Sequence, residues 1–152
     1  MNKNAFISIT IKIIAQYEIL EKYLANNNQK AEMLFISDYF DCISNNIQRL
    51  LFSQKGCLFL IKMITIKHAN FISFLVQFIL NDFVLYATGE FSSVVITSLY
   101  SLNNTFINNQ FNSVLIDTIG RIRFNKNAEK VIKSAIGIKN QNLIQQTTTS
   151  LY

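Results

Sequence analysis

The chain has 152 residues (17.5 kDa), of which 50% are hydrophobic and only 15% charged, with a formal net charge of +5. It is too apolar for a disordered chain and long enough to bury a core. The absence of Pro, with four Gly beside 23 Ile, 13 Phe and 18 Asn, argues against a sheet-and-turn architecture, which uses Gly and Pro at its corners, and predicts helices joined by polar Asn- and Ser-bearing loops.

Taken in chain order, residues 5–25 read as helical, with Phe6, Ile9, Ile13 and Tyr17 followed by Leu20 and Leu24, and end at the loop signal Asn26-Asn27-Asn28. The apolar stretch 7–14 is broken by Ser8, Thr10 and Lys12, so it does not read as a secretory leader. Residues 1–42 are expected to form N-terminal helices, a degenerate repeat or an end cap. Further helical stretches are expected at 43–52, 71–87 and 111–124. The greasiest segment, 71–80, is interrupted by Ser73 and Gln77 and stopped by Asn81-Asp82. It falls short of the roughly 20 apolar residues of a membrane span, so it reads as a core helix. The tail, 138–152, is polar and Thr-bearing, a composition that predicts a frayed or docked end. Cys42 and Cys57 make no disulfide framework and point to a reducing, intracellular compartment.

Charge is unevenly spread. Residues 1–67 carry eight Lys/Arg against five Asp/Glu, and residues 68–120 carry three acids and no base. Residues 121–152 carry Arg121, Arg123, Lys126, Lys130, Lys133 and Lys139 against the single acid Glu129. Such a cluster suits a phosphate-bearing partner, although a solvated Lys-rich helix face has the same composition.

One pattern repeats. LLFSQKGCLFLIKMI at 50–64 is followed 35 residues later by LYATGEFSSVVITSL at 85–99, and 37 residues after that by IRFNKNAEKVIKSAI at 122–136. Apolar pairs coincide at Phe59-Leu60, Val94-Val95 and Val131-Ile132. The unit reads as helix, short turn, helix, with a period near 36. A helix pair of this kind needs stacked neighbours to bury its apolar face.

The fragments Gln54-Lys55-Gly56-Cys57-Leu58-Phe59-Leu60-Ile61-Lys62, Glu90-Phe91-Ser92-Ser93-Val94-Val95-Ile96 and Asn127-Ala128-Glu129-Lys130-Val131-Ile132-Lys133 resemble the second helix of PUF (Pumilio-type) repeats. The resemblance implies an all-α fold, an α-solenoid of stacked helical hairpins (PUF/armadillo-like), with about three to four repeats centred on residues 43–137. It also implies that the second helices line a concave surface where each repeat meets one RNA base. Carried over residue by residue, the first edge-reading position falls on Cys57, Ser92 and Glu129. The stacking position falls on Leu58, Ser93 and Lys130, and the second edge-reading position on Ile61, Ile96 and Lys133. Here the chain departs from the family, because Ile61 and Ile96 offer no donor or acceptor and Leu58 and Ser93 no ring. A base edge buried on Ile would be left with unpaired polar atoms, at about 1–3 kcal/mol per group.

The expectation is therefore a non-catalytic RNA-binding protein that holds the backbone with little base specificity, Arg121, Arg123 and Lys126 adding phosphate contacts. Ribosomal RNA, in ribosome assembly or a ribonucleoprotein of the nucleus, nucleolus or cytoplasm, is what the resemblance to divergent family members implies. A protein partner is expected beside the RNA; DNA and a membrane span are not. Two rivals stand: a helical protein–protein interaction module without RNA, and a peripheral protein resting its basic end on anionic lipid. In the first rival the Ile/Leu-rich concave face grips an apolar protein segment; a plainer alternative makes Cys57, Ile61 and Ile96 core residues of a helical domain with no concave site.

No catalytic constellation assembles. His68 is the only histidine, and neither it nor Cys42 and Cys57 shows zinc-ligand spacing. Asp38 and Asp41 share a helix face that suits either a metal or a helix start. Gly56, Gly89, Gly120 and Gly137 stand alone, whereas a phosphate cradle needs several glycines in one turn. An enzyme, a cofactor and a metal are not expected.

Overall fold

The computed structural model describes residues 29–137, and every regular element among them is an α-helix. The helical reading of residues 5–25 and the polar tail from 138 lie outside the described residues. The chain divides after Phe74 into two units.

The first unit holds α1 (Gln29–Asn45), α2 (Ile47–Leu51), α3 (Gln54–Ile66) and the start of α4 (Ala69–Leu80). In α1 the buried Phe35, Ile36 and Ile43 form an apolar stripe at helical spacing. Asn46 interrupts the helix expected over 43–52: its Nδ2 donates to Cys42 O at 2.8 Å, satisfying a carbonyl at the helix end. The helix before this break reaches back to Gln29, so α1 runs across the expected boundary at 42. Both α1 and α2 pack on α3. Ser53 caps α3, its Oγ accepting from Gly56 N at 2.9 Å. The helix closes at Lys67, which takes the left-handed conformation at φ 62°. His68 then joins two helices. Its Nδ1 accepts from Phe71 N at 3.2 Å in the first turn of α4, and its Nε2 lies 3.2 Å from Ser37 Oγ on α1. With Nδ1 accepting, the proton sits on Nε2, which donates to the hydroxyl.

The second unit contains the rest of α4, then α5 (Phe83–Ala87), α6 (Ser92–Tyr100), α7 (Thr105–Ile122) and α8 (Lys126–Gly137). The helix expected over 71–87 is broken at Asn81-Asp82 into α4 and α5. The helix expected over 111–124 starts earlier, at Thr105, because Asn104 caps it by accepting from Ile107 N at 3.0 Å. Within this unit α6 packs closely on α8, and α5 contacts α6, α7 and α8. Tyr100 stacks on Phe111 (5.4 Å between centroids) and its hydroxyl donates to Asn112 Oδ1 at 3.0 Å, locking α6 to α7. Asn127 Nδ2 donates to Thr88 O at 3.0 Å and ties the start of α8 to the end of α5.

Local hydrogen bonds recur at an interval of 36 residues. Ser53 N, Gly89 N and Asn125 N donate to Leu50 O, Tyr86 O and Ile122 O at 3.2, 3.3 and 2.9 Å. One turn on, Cys57 N, Ser93 N and Glu129 N donate to Ser53 O, Gly89 O and Asn125 O at 2.9, 3.2 and 3.0 Å. Lys67 and Asn103 are the two non-glycine residues with positive φ among those described, 36 positions apart. The caps at His68 and Asn104 have the same separation. Core positions follow suit: Ile43, Ile79 and Leu115; Leu50, Tyr86 and Ile122; Phe59, Val95 and Val131; Met63, Leu99 and Ala135 are all buried.

No helix among the described residues is long and apolar enough to cross a membrane.

Candidate nucleic-acid interface

On α3, the first edge-reading position is occupied internally. Cys57 is 2% exposed and its Sγ donates to Leu51 O at 3.3 Å. Burial pushes its thiol up to about 12, which leaves an inert protonated sulfur rather than a nucleophile. Leu58 stands 55% exposed and Ile61 half-buried, on a helix whose other exposed residues are Gln54, Lys55, Lys62 and Thr65.

On α6, the three residues singled out from the sequence all lie in the core. Ser92 is buried with Oγ donating to Tyr86 O at 2.7 Å, Ser93 is buried with Oγ donating to Glu90 O at 3.4 Å, and Ile96 is fully buried. The hydrogen bonds that recur at 36 residues suggest a register one residue away from the spacings of 35 and 37 read from the sequence. At an interval of 36 the positions in register with Cys57, Leu58 and Ile61 are Ser93, Val94 and Thr97, whereas a spacing of 35 falls on Ser92, Ser93 and Ile96. Val94 and Thr97 are half-buried, and Thr97 Oγ1 donates back to Val94 O at 2.8 Å. That hydroxyl satisfies its own helix instead of facing outward.

The last helix differs. Lys126, Lys130 and Lys133 are exposed at spacings of four and three, hence on one face of α8, while Ala128, Val131 and Ala135 are buried on the other. Glu129 shares the exposed side and pairs with Lys133 (Oε1 to Nζ 3.1 Å), leaving the Lys133 side chain 74% exposed. A surface pair like this holds the ammonium loosely. Asn125 orients the helix, its Oδ1 accepting from Asn127 N at 2.9 Å and Ala128 N at 3.0 Å. Just before it, Arg121 is exposed and Arg123 half-buried, its guanidinium carbon 4.7 Å from the ring centroid of Phe124. Phe124 is 88% exposed, the most open large apolar side chain among the described residues. Arg121 and Arg123 thus stand at the end of α7, and Lys126, Lys130 and Lys133 on the exposed side of α8; Lys139 lies outside the described residues.

Phe124 was missed in the sequence because it sits where an apolar helix end was expected; its position directly before the Asn125 cap was the available signal. Asn108 and Asn112 were missed as well. They occupy buried positions on α7 whose counterparts 36 residues earlier are Ile72 and Val76. His68 serves as a helix cap, Asp38 and Asp41 are exposed, and no group of three His, Cys, Asp or Glu gathers among the described residues. Comparison with protein families, with curated proteins and with solved structures finds no match to the chain.

Proposed function

We propose that the chain is a stack of helical hairpins repeating every 36 residues, PUF-like in design, that binds RNA through its phosphate backbone with little reading of base sequence. Its place would be a ribonucleoprotein or ribosome-assembly particle. The observation that carries this reading is the α8 face, where three exposed lysines stand in line, with the exposed Arg121 at the end of the helix before it. A row of cations on a rigid helix displaces counterions from a polyanion, and the salt released makes up most of such an affinity. Poor base selectivity follows from Cys57 and Ser93, whose side chains are buried and bonded to backbone carbonyls.

The test is RNA affinity titrated against salt, for the wild-type chain and for the combined Arg121→Gln, Lys126→Gln, Lys130→Gln, Lys133→Gln variant. Affinity should fall steeply with salt, and the slope should shrink by about 0.7 for each charge removed that meets a single strand. Absence of RNA binding, or a slope unchanged in the variant, overturns the reading.

A second reading, a protein-binding module, is favoured by the first unit, where Phe52 and Leu58 are each 55% exposed. Under that reading the wild-type chain shows no salt-dependent RNA binding, and Leu58→Asp abolishes binding of the protein partner.

A further inference from the structure

We infer that Phe124 is a base-stacking platform for single-stranded RNA, so that the tip of the α7–α8 hairpin, and not only the α8 face, holds the nucleic acid. The inference rests on the RNA reading above and adds the form of the ligand. The Phe124 ring is 88% exposed, so most of its surface is open to contact with a ligand. The Arg123 guanidinium lies 4.7 Å from the ring centroid, within cation–π range, so a positive charge is held against the ring. Arg121 before it and Lys126 after it are exposed. Ring and cations at one turn match the two parts of a nucleotide: the base stacks on the aromatic face and the phosphates meet the flanking charges. A purely apolar partner segment would have no use for the Arg123 guanidinium on the ring or for the exposed Arg121 and Lys126 on either side of it in the chain. The arrangement has an echo at the turn 72 residues earlier, two intervals of 36, where Phe52 is 55% exposed and follows the exposed Arg49 by three positions, as Phe124 follows Arg121. A duplex, whose bases are already stacked, presents no free face to such a ring.

The chain contains no tryptophan, so Phe124→Trp installs a sole indole reporter at the platform. Its emission should be quenched when a short single-stranded RNA of mixed sequence is added, and much less by the same sequence as a duplex. In parallel, Phe124→Ala and Phe124→Leu should each weaken single-strand affinity about tenfold, while Phe124→Tyr retains it, the loss of one base–aromatic stack being of that order. Circular dichroism of each variant should match the wild type, since the ring is exposed. If wild-type and variant chains bind the single strand equally, or if Leu retains what Tyr retains, the platform is overturned while the backbone-binding reading stands. Equal preference for the duplex also overturns it. If the wild-type chain binds no RNA, both fall together.

Discussion

At residue 56 a hydrogen is all that the surroundings admit. A Cβ built on Gly56 would run into Leu50 O and lie 2.6 Å from both Leu50 Cα and Ser53 Oγ, so backbone would have to move. At Gly120, on α7, a Cβ would meet nothing within 4 Å. Gly56→Ala should therefore destabilise by about 1–3 kcal/mol, the ordinary cost of overpacking. Gly120→Ala should stabilise by roughly 0.5–1 kcal/mol, because it removes backbone freedom from the unfolded chain. Urea unfolding of the two variants checks both signs. Cys57 carries a pH signature. Its thiol stays protonated in the fold up to about 12, against an ordinary value of 9.0. Above pH 9 the unfolded chain holds fewer protons than the folded one, so stability must fall as pH rises, with no effect below the ordinary value. Burial also raises Tyr100, and burial with the nearby Asp82 raises Tyr86, so both add to the fall at higher pH. Unfolding measured either side of pH 9 should show this decline, and Cys57→Ala should make it shallower.

Among the elements, the caps fix where each helix begins. Ser53, Asn104 and Asn125 each accept from an amide three residues on, and replacing any one by Ala should cost about 1 kcal/mol in thermal or urea unfolding. His68 performs with a ring nitrogen what Asn104 does with a carbonyl oxygen 36 residues later. His68→Asn should hence retain much of the stability that His68→Ala loses. These caps also explain what could be read from the sequence. Polar Asn and Ser residues marked the helix ends, and the apolar stripes marked all-helical structure. Spacing was legible only to within one residue, because Val94-Val95 and Val95-Ile96 fit the apolar pattern equally well. The bonds from Gly89 N to Tyr86 O and from Ser93 N to Gly89 O favour the alignment at 36. Such bonds depend on backbone geometry and leave no mark in hydrophobicity. The exposed Phe124 was hidden for a related reason: a Phe beside an apolar helix reads as core until burial is known.

For the molecule as a whole, equivalent outer positions tell a graded story. At the proposed interval of 36, Gln54, Leu58 and Ile61 on α3 stand in register with Glu90, Val94 and Thr97 on α6, and with Lys126, Lys130 and Lys133 on α8. On the proposed repeat these positions pass from a largely apolar set on α3 to a basic set on α8, and the phosphate-binding proposal attaches to α8 with the end of α7 before it. All of this depends on residues 36 apart being equivalent. Backbone chemical shifts of the full chain in solution measure that equivalence most directly. Left-handed signatures should fall at Lys67 and Asn103, with helix starts following Ser53, His68, Asn104 and Asn125. A helix running unbroken through residue 67 or 103, or breaks at unrelated intervals, would contradict it.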